Sequence, residues 1–282
     1  MQCTIALIRY VMIEIKNLKF SYGTLPVLDR ITMNFEPGRI YGLLGENGVG
    51  KTTLLTLLAG LKKPQTGTIS IDGTAPWKRT PSLLSSMYYL PDEVAPVNET
   101  ALRYARSLGV FWPGFSEEKF LKVMQELETD PAKKMNSMSA GQLKKTYISF
   151  ALACQTAYLL MDEPTHGLDI PSKAQFRKAL MTHTREDSTI VISTHQVRDL
   201  ENVIDPIVIL DRQAVLMNAT LEEISAKLFF DYGTTLQPDS LYSEQTPGGF
   251  IQVRPNTEGA ESKVNIEALF NAVHKNKELF RK

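Results

Sequence analysis

Gly45-Glu46-Asn47-Gly48-Val49-Gly50-Lys51-Thr52 matches the phosphate-binding template G-x-x-x-x-G-K-[ST] at every fixed position. An apolar run at residues 40–44 precedes it, and a helix-compatible run at residues 53–59 follows it. Backbone N–H groups that glycine leaves uncovered, together with the positive end of the following helix, hold a polyphosphate. We therefore predict that this loop and Thr53 bind a nucleotide, with Lys51 reaching the β and γ phosphates and Thr52 holding Mg²⁺. The alternative is a glycine-rich turn that happens to contain Lys-Thr.

A second apolar run, residues 157–161, ends in the acidic residues Asp162 and Glu163. Buried parallel strands read as continuous apolar sequence, and ligands bind beyond their carboxyl ends. We therefore expect Asp162 to lie beside the phosphate loop, where it positions Mg²⁺ through water. Glu163 is then the base that orients the attacking water. Adjacent acids are also common at solvated strand ends, so this pattern alone leaves both interpretations open.

Met138-Ser139-Ala140-Gly141-Gln142 favours the first interpretation. With this stretch the chain resembles the nucleotide-binding subunits of ATP-binding cassette (ABC) transporters. Their signature usually reads Leu-Ser-Gly-Gly-Gln, opens a helix, and offers its Ser hydroxyl and Gly N–H to the γ phosphate of ATP held by the opposite subunit. The resemblance implies that Ser139, Gly141 and Gln142 bind nucleotide. Met138 keeps the bulk of Leu, and Ala140 limits backbone freedom without blocking the phosphate contact.

Three further segments fall in the order that the resemblance implies. Tyr22 matches the aromatic residue on which the family stacks adenine, and Gly167-Leu168-Asp169 matches the loop that touches the partner subunit. His195 matches the switch histidine that contacts the γ phosphate, and His166 stands where Ser is more common. Without the resemblance, a lone Tyr on a short strand is usually a packing residue, and a His at a strand end is usually a surface residue.

The segment Tyr89-Leu90-Pro91-Asp92-Glu93 departs from the family pattern, in which Gln follows the strand. Asp92 is shorter than Gln and charged, so it can bind Mg²⁺ directly but cannot donate a hydrogen bond while ionised. Some ABC subunits that resemble this chain carry a carboxylate here, so the departure is compatible with activity. Thr52, Asp92 and Asp162 are therefore the predicted metal ligands.

Composition agrees with an ordinary globular ATPase: 43% of the 282 residues are hydrophobic and 22% are charged. A formal net charge of zero gives no electrostatic reason to expect binding to nucleic acid or to an acidic membrane. The lysine pairs Lys133-Lys134 and Lys144-Lys145 read as solvated faces, and Cys154 as a small core residue in a reducing compartment. No run approaches the roughly 20 apolar residues that span a bilayer, so we expect any transmembrane part to be another polypeptide.

The motif order predicts an α/β fold. Its parts are a P-loop NTPase (RecA-like) core, an antiparallel β subdomain, an inserted helical subdomain, and a small α+β C-terminal extension. We place an extra N-terminal segment at residues 1–11, the ABC nucleotide-binding domain at 12–217 with its helical subdomain at about 92–153, and the extension at 218–282.

The extension contains one predicted amphipathic helix. Asn265 is its predicted N-cap, and Val264 and Leu269 are placed as a hydrophobic staple. Its apolar stripe either packs on its own chain or forms a dimer contact or regulatory surface.

The predicted function is an ATPase that works as a head-to-tail homodimer, with each ATP and its Mg²⁺ between one subunit's phosphate loop and the signature of the other. The resemblance implies that hydrolysis drives a separate integral-membrane permease, with the ATPase cytoplasmic and peripheral on the inner face of the cell membrane. Asp92, Lys144-Lys145 and the short core look more like subunits of ABC-2-type exporters than of nutrient importers.

Two other classes of protein remain. A soluble ABC protein acting on ribosomes or DNA usually joins two cassettes in one chain or carries a long coiled coil, and this chain does neither. A small-molecule kinase would leave the signature unexplained.

Overall fold

The computed structural model describes residues 12–211 and 213–280, so the predicted N-terminal segment 1–11 lies outside it. Its strands are β1 Ile13–Tyr22, β2 Leu25–Phe35, β3 Ile40–Leu44, β4 Thr66–Ile71, β5 Met87–Leu90, β6 Tyr158–Asp162, β7 Thr189–Thr194, β8 Ile207–Asp211, β9 Ala214–Ala219, β10 Leu228–Gly233, β11 Tyr242–Thr246 and β12 Gly249–Pro255. Its helices are α1 Lys51–Leu58, α2 Pro81–Ser86, α3 Ala101–Gly109, α4 Glu117–Glu126, α5 Ala140–Ala153, α6 Ile170–His183, α7 Leu221–Lys227, α8 Ile266–Lys275 and α9 Lys277–Phe280.

The central sheet has the strand order β5-β6-β7-β3-β8-β9. The first five strands run parallel and β9 closes the edge antiparallel to β8. Every residue of β6, β7 and β8 is buried, as their continuous apolar sequences predict. Because parallel strands end at the same edge of a sheet, the loops after β3, β6 and β7 meet there.

A second sheet, β2-β1-β4, is antiparallel and packs with α1 against the central sheet. Ile13 and Ile15 alternate with less buried neighbours along β1, which is the pattern of a strand with one face in the core. The predicted α/β fold with a P-loop core and an antiparallel β subdomain is therefore confirmed.

Helices α3, α4 and α5 lie between β5 and β6 and form the helical subdomain. Each begins at a Ser or Thr: the side chain of Thr100 accepts the N–H of Arg103, and that of Ser116 accepts the N–H of Lys119. The subdomain is tied to α6, since Nε2 of the buried His183 lies 2.9 Å from Oε2 of Glu126.

The C-terminal extension has an antiparallel sheet, β10-β12-β11, with α7, α8 and α9 around it. The predicted boundary at residue 217 falls inside β9, so the central sheet continues to Ala219. Asn265 caps α8 by accepting the N–H of Ala268 at 2.9 Å. Val264 and Leu269 are buried in the hydrophobic cluster that also contains the helical subdomain and one face of the central sheet. The apolar stripe therefore packs on its own chain.

Among residues 12–211 and 213–280, no helix combines the length and apolar character needed to cross a bilayer.

Candidate active site

The loop between β3 and α1 is shaped by its glycines. Gly48 and Gly50 have φ of +82° and +109°, in the left-handed region that favours glycine. A Cβ on Gly45 would lie 2.6 Å from the carbonyl oxygen of Leu210, so the close approach of this loop to β8 also requires glycine. The sequence therefore forms an open loop of backbone N–H groups that leads directly into the N-terminus of α1.

The side chain of Lys51 lies within this loop. Its Nζ donates hydrogen bonds to the carbonyl oxygens of Gly45 at 2.7 Å and Glu46 at 3.1 Å. Burial lowers the pKa of Lys51, while the negative charges of Glu163 and Asp162 oppose that shift. The ammonium group thus lies near both acidic residues at the end of β6, and its contact with the β and γ phosphates stays a prediction.

Asp162 is 1% exposed at the end of β6 and accepts a hydrogen bond from the hydroxyl of Ser193 in the adjacent strand β7. Burial, reinforced by the nearby charge of Asp162, raises the pKa of the Tyr89 phenol well above its usual value. Thr52, in the first turn of α1, is exposed. A hydroxyl and a carboxylate are ligands that suit Mg²⁺.

Glu163 has an unusual backbone. Its φ of +44° places a non-glycine residue in the left-handed region, a strained conformation that clusters at functional sites. Its N–H donates both to the carbonyl oxygen of Ser193 at 3.1 Å and to the hydroxyl at 3.2 Å, which holds the turn in place. Its Oε1 lies 2.8 Å from Nδ1 of His195 and 4.0 Å from Nζ of Lys51. The predicted base, switch histidine and phosphate-loop lysine therefore converge.

A cavity of about 170 Å³ lies at this point. It is lined by Asn47, Gly48, Gly50, Lys51, Thr52, Thr53 and Glu163. The lining combines backbone donors, one cation and one carboxylate, which fits a polyphosphate with a divalent ion and not an apolar ligand. Val49 is buried and packs behind the loop.

The signature lies on a different part of the surface. Ser139 is the N-cap of α5: its side chain accepts the N–H of Gln142, and the Gln142 side chain accepts the N–H of Ser139. A Cβ on Gly141 would lie 3.7 Å from the carbonyl oxygen of Gly167, so the signature adjoins the loop matched to the partner contact. A helix N-terminus with an exposed Ser is suited to meet an anion.

The family model described as ABC transporter matches residues 28–166 of this chain, which span the phosphate loop, the signature and Glu163. The chain belongs to the ABC transporter family. It is an ATP-binding, ATP-hydrolysing subunit, which confirms the predicted activity and the predicted binding of ATP.

Two relatives illustrate the breadth of the family. The high-affinity zinc uptake system ATP-binding protein ZnuC of Bacillus subtilis is 28% identical over an alignment of 216 residues, and the match covers 71% of this chain and 91% of the relative. Nod factor export ATP-binding protein I of Cupriavidus metallidurans is 28% identical over an alignment of 239 residues, and the match covers 80% of this chain and 78% of the relative. A solved structure of an ATP binding subunit of an ABC transporter is 25% identical with a TM-score of 0.68, covering 76% of this chain and 91% of that one.

Tyr22 of this ABC ATPase is 47% exposed at the end of β1, beside the phosphate-binding loop. Its hydroxyl lies 3.4 Å from that of Thr53, and Nζ of Lys62 lies 4.9 Å from its ring centroid. The ring thus presents an accessible aromatic surface near the loop, and adenine stacking on it stays a prediction.

Lys144 corrects one expectation for this ABC ATPase. The sequence favours a solvated face for it, yet its side chain is 5% exposed. Its Nζ donates to the carbonyl oxygens of Asp92 at 2.6 Å and Pro91 at 3.2 Å, because α5 packs against the loop after β5. Burial lowers the pKa of Lys144, with the charge of Asp92 as the largest opposing effect. The carboxylate of Asp92 lies 3.7 Å from Nζ of Lys144, and its direct contact with Mg²⁺ stays a prediction.

Sequence reasoning missed two residues of the ABC site. Ser193 contacts both acidic residues, and its sequence signal is a hydroxyl two positions before His195, directly after the apolar residues 190–192 of β7. Lys144 has a helical signal: it lies five positions after the N-cap Ser139, between the buried residues Leu143 and Thr146.

Proposed function

We propose that two copies of this ATPase assemble head-to-tail, with each ATP and its Mg²⁺ between the phosphate loop of one copy and the signature of the other. The observation that carries this proposal is that Lys51 and Glu163 line one cavity, with His195 in contact with Glu163, whereas Ser139 and Gly141 do not line it and adjoin the loop at Gly167 instead. A nucleotide in that cavity needs a second copy to bring the exposed helix N-terminus at Ser139 to its γ phosphate.

The chemistry follows from the contacts of the cavity. Lys51 neutralises negative charge on the phosphates, and the Glu163 carboxylate accepts a proton from the attacking water. His195 holds that carboxylate through the 2.8 Å contact to Oε1. Thr52 and Asp162 would hold Mg²⁺, which would supply further neutralisation of phosphate charge when bound. Asp162 is itself oriented by Ser193.

The partner that this activity drives is, in our proposal, an integral-membrane permease on a separate chain. Support comes from a groove of about 820 Å³ between the end of α1, β5 and the helical subdomain. Its lining is mainly apolar and includes Leu61, Met87, Tyr88, Val110, Phe111 and Trp112. Val110 and Phe111 are 77% and 65% exposed, and an apolar surface of this kind marks a docking site. A short amphipathic helix of the permease fits such a groove.

Export is the proposed direction of transport, and the cytoplasmic face of the membrane is the proposed location. The Nod factor export relative aligns with 80% of this chain and the zinc uptake relative with 71%. Asp92 at the position of the usual Gln agrees with the exporter group. The net charge of zero favours a transport role over action on ribosomes or DNA.

The dimer is tested by sedimentation equilibrium of Glu163→Gln with and without ATP and Mg²⁺. This variant should hydrolyse ATP slowly, so the dimer with ATP bound between its subunits persists. Nucleotide should therefore shift the variant from monomer to dimer. Adding Ser139→Arg should abolish the shift by placing bulk and charge at the interface. Ser137→Arg, on the exposed turn just before the signature, is the matched control and should dimerise normally. A nucleotide-independent monomer at high concentration argues against the sandwich.

The permease contact is tested by co-expression with a candidate permease, sought as a polytopic membrane protein encoded beside this gene. Phe111→Glu should lose co-purification while the ATPase rate of the isolated subunit is unchanged, and Tyr232→Glu, 60% exposed in the C-terminal extension, should keep both. Co-purification of both variants would contradict the groove as the docking site.

A further inference from the structure

Three potential metal ligands from distant parts of the chain meet beside the phosphate loop. Glu46 lies in that loop, Asp211 ends β8, and His274 lies in the last turn of α8. One ligand atom of each lies within 4.8 Å of the others. The C-terminal extension thus brings an imidazole next to two carboxylates, one of them in the nucleotide site.

Two of these side chains carry buried atoms that have no hydrogen-bond partner in the part of the chain that the structure describes. Asp211 is 7% exposed, and its Oδ1 has no hydrogen-bond partner among the described residues. Nε2 of His274 is likewise buried and unpartnered within that part of the chain. Buried polar atoms in folded proteins nearly always have a partner, since leaving one unpaired is costly. A carboxylate oxygen and an imidazole nitrogen that both lack one among residues 12–211 and 213–280 therefore point to a ligand.

We propose that Glu46, Asp211 and His274 bind a divalent first-row transition metal ion such as Zn²⁺, Mn²⁺ or Co²⁺. One nitrogen and two oxygen ligands suit such an ion, whereas Mg²⁺ and Ca²⁺ prefer oxygen alone. Two ligands of one tetrahedral ion stand roughly 3.4 Å apart, so the three side chains close by about 1 Å on binding. Glu46 is exposed and free to rotate inward. The ring of His274 is held against Phe270, with the centroids 4.5 Å apart.

The ammonium group of Lys277 competes with a metal ion for the carboxylate of Asp211. Its Nζ lies 2.9 Å from Oδ2 of Asp211, so it binds the oxygen that the proposed ion does not use. The ammonium group orients the carboxylate but also repels a second cation. Removing that charge while keeping the length of the side chain, as in Lys277→Met, should therefore tighten metal binding.

Metal binding here would couple the extension to catalysis. The ion would link the end of α8 to Glu46, whose carbonyl oxygen accepts a hydrogen bond from Nζ of Lys51 at 3.1 Å. Because coupling between two sites is reciprocal, a metal that changes ATP affinity is itself bound differently when ATP is present.

The test is titration of metal-free protein with Zn²⁺ by equilibrium dialysis, and with Co²⁺ by visible absorption, in the absence of nucleotide. We expect one tightly bound ion per chain, a Co²⁺ spectrum showing nitrogen ligation, and a higher melting temperature with metal. His274→Gln and Asp211→Asn should each weaken the metal affinity at least about tenfold. His166→Gln and Glu267→Gln, which change an imidazole elsewhere and a carboxylate at the other end of α8, should bind like the intact protein.

Lys277→Met should bind the metal more tightly, with a Kd lower by at least about threefold, because the charge repulsion is removed. A gain in affinity cannot come from a folding defect, so this variant tests the site independently of the ligand variants. The proposed site would be overturned if no stoichiometric metal binding were found. It would also be overturned if the intact protein, His274→Gln and Lys277→Met bound the metal with equal affinity. Either result leaves the ATPase proposal intact, because that is judged by turnover and dimerisation.

Discussion

Nδ1 of His166 lies 2.9 Å from Oδ1 of Asp92, so two residues that depart from the usual ABC pattern contact each other. The N–H of His166 donates to the carbonyl oxygen of Glu163 at 3.1 Å, within the turn that carries the proposed catalytic carboxylate. Lys144 holds the other side of the Asp92 loop from α5. The helical subdomain, the loop after β5 and the Glu163 turn are thereby joined by a continuous set of polar contacts.

Lys144→Met should lower the free energy of unfolding by about 1–3 kcal/mol, because it leaves the carbonyl oxygens of Pro91 and Asp92 without their donor. Lys145→Met, at the adjacent and less buried position, should stay within about 0.5 kcal/mol of the intact protein. Urea denaturation followed by circular dichroism gives both values. Equal stability of the two variants would mean that the buried ammonium group does not stabilise this loop.

Lys51→Ala and Glu163→Gln should separate binding from hydrolysis. Loss of the loop cation should weaken ATP binding at least about tenfold, because it removes a charge-assisted contact with the phosphates. Glu163→Gln keeps the shape of the side chain without the base, so it should bind ATP normally and lose about 10²-fold or more in turnover. ATP affinity and phosphate release are the measurements. Wild-type turnover in Glu163→Gln would refute the assignment of the base.

Ser193→Ala should lower kcat several-fold with little change in KM. It removes the hydroxyl that donates to Asp162 and one of the two acceptors of the Glu163 N–H, so both acidic groups lose orientation. Ser149→Ala is the matched control, because its buried hydroxyl donates only to the carbonyl oxygen of Lys145 within α5. Steady-state ATPase kinetics distinguish the two variants. A similar small effect in both would assign Ser193 to packing alone.

Leu269→Ala should destabilise the protein by about 2–5 kcal/mol, because Leu269 is fully buried in the cluster that joins α8 to the rest of the chain. Leu279→Ala, at a position that is 70% exposed, should cost less than about 0.5 kcal/mol. Thermal and urea unfolding give the stabilities, and ATP cooperativity should be unchanged wherever the variant remains folded. Altered dimerisation at unchanged stability would instead indicate a role of this helix at a subunit interface.

Cys154 should react slowly with iodoacetamide in the folded protein at pH 8. Burial raises the pKa of its thiol, so the reactive thiolate is scarcer at any given pH than in the unfolded chain, in addition to being shielded. Mass spectrometry of a Cys3→Ser background measures its labelling with and without urea. Equal rates in both conditions would show that this part of α5 opens readily.

The sequence by itself predicted the features that depend on consecutive residues. The phosphate loop, the acidic pair at the end of β6, the helix that opens at the signature and the Asn265 cap each occupy a few neighbouring positions, whose backbone geometry is set by glycine, by apolar runs and by capping side chains. Those signals survive in any tertiary context, so they also predicted the fold class and the order of its parts.

Only the tertiary structure determined which distant residues meet. Lys144 is buried because α5 packs on the loop after β5. Asp92 contacts His166 because the strands that precede them, β5 and β6, are neighbours in the sheet. Glu46, Asp211 and His274 converge because α8, buried through its apolar face in the cluster that also contains one face of the central sheet, ends beside the phosphate loop. No local pattern encodes these contacts, since each depends on how two or more elements pack against one another, and packing is decided by the whole hydrophobic core.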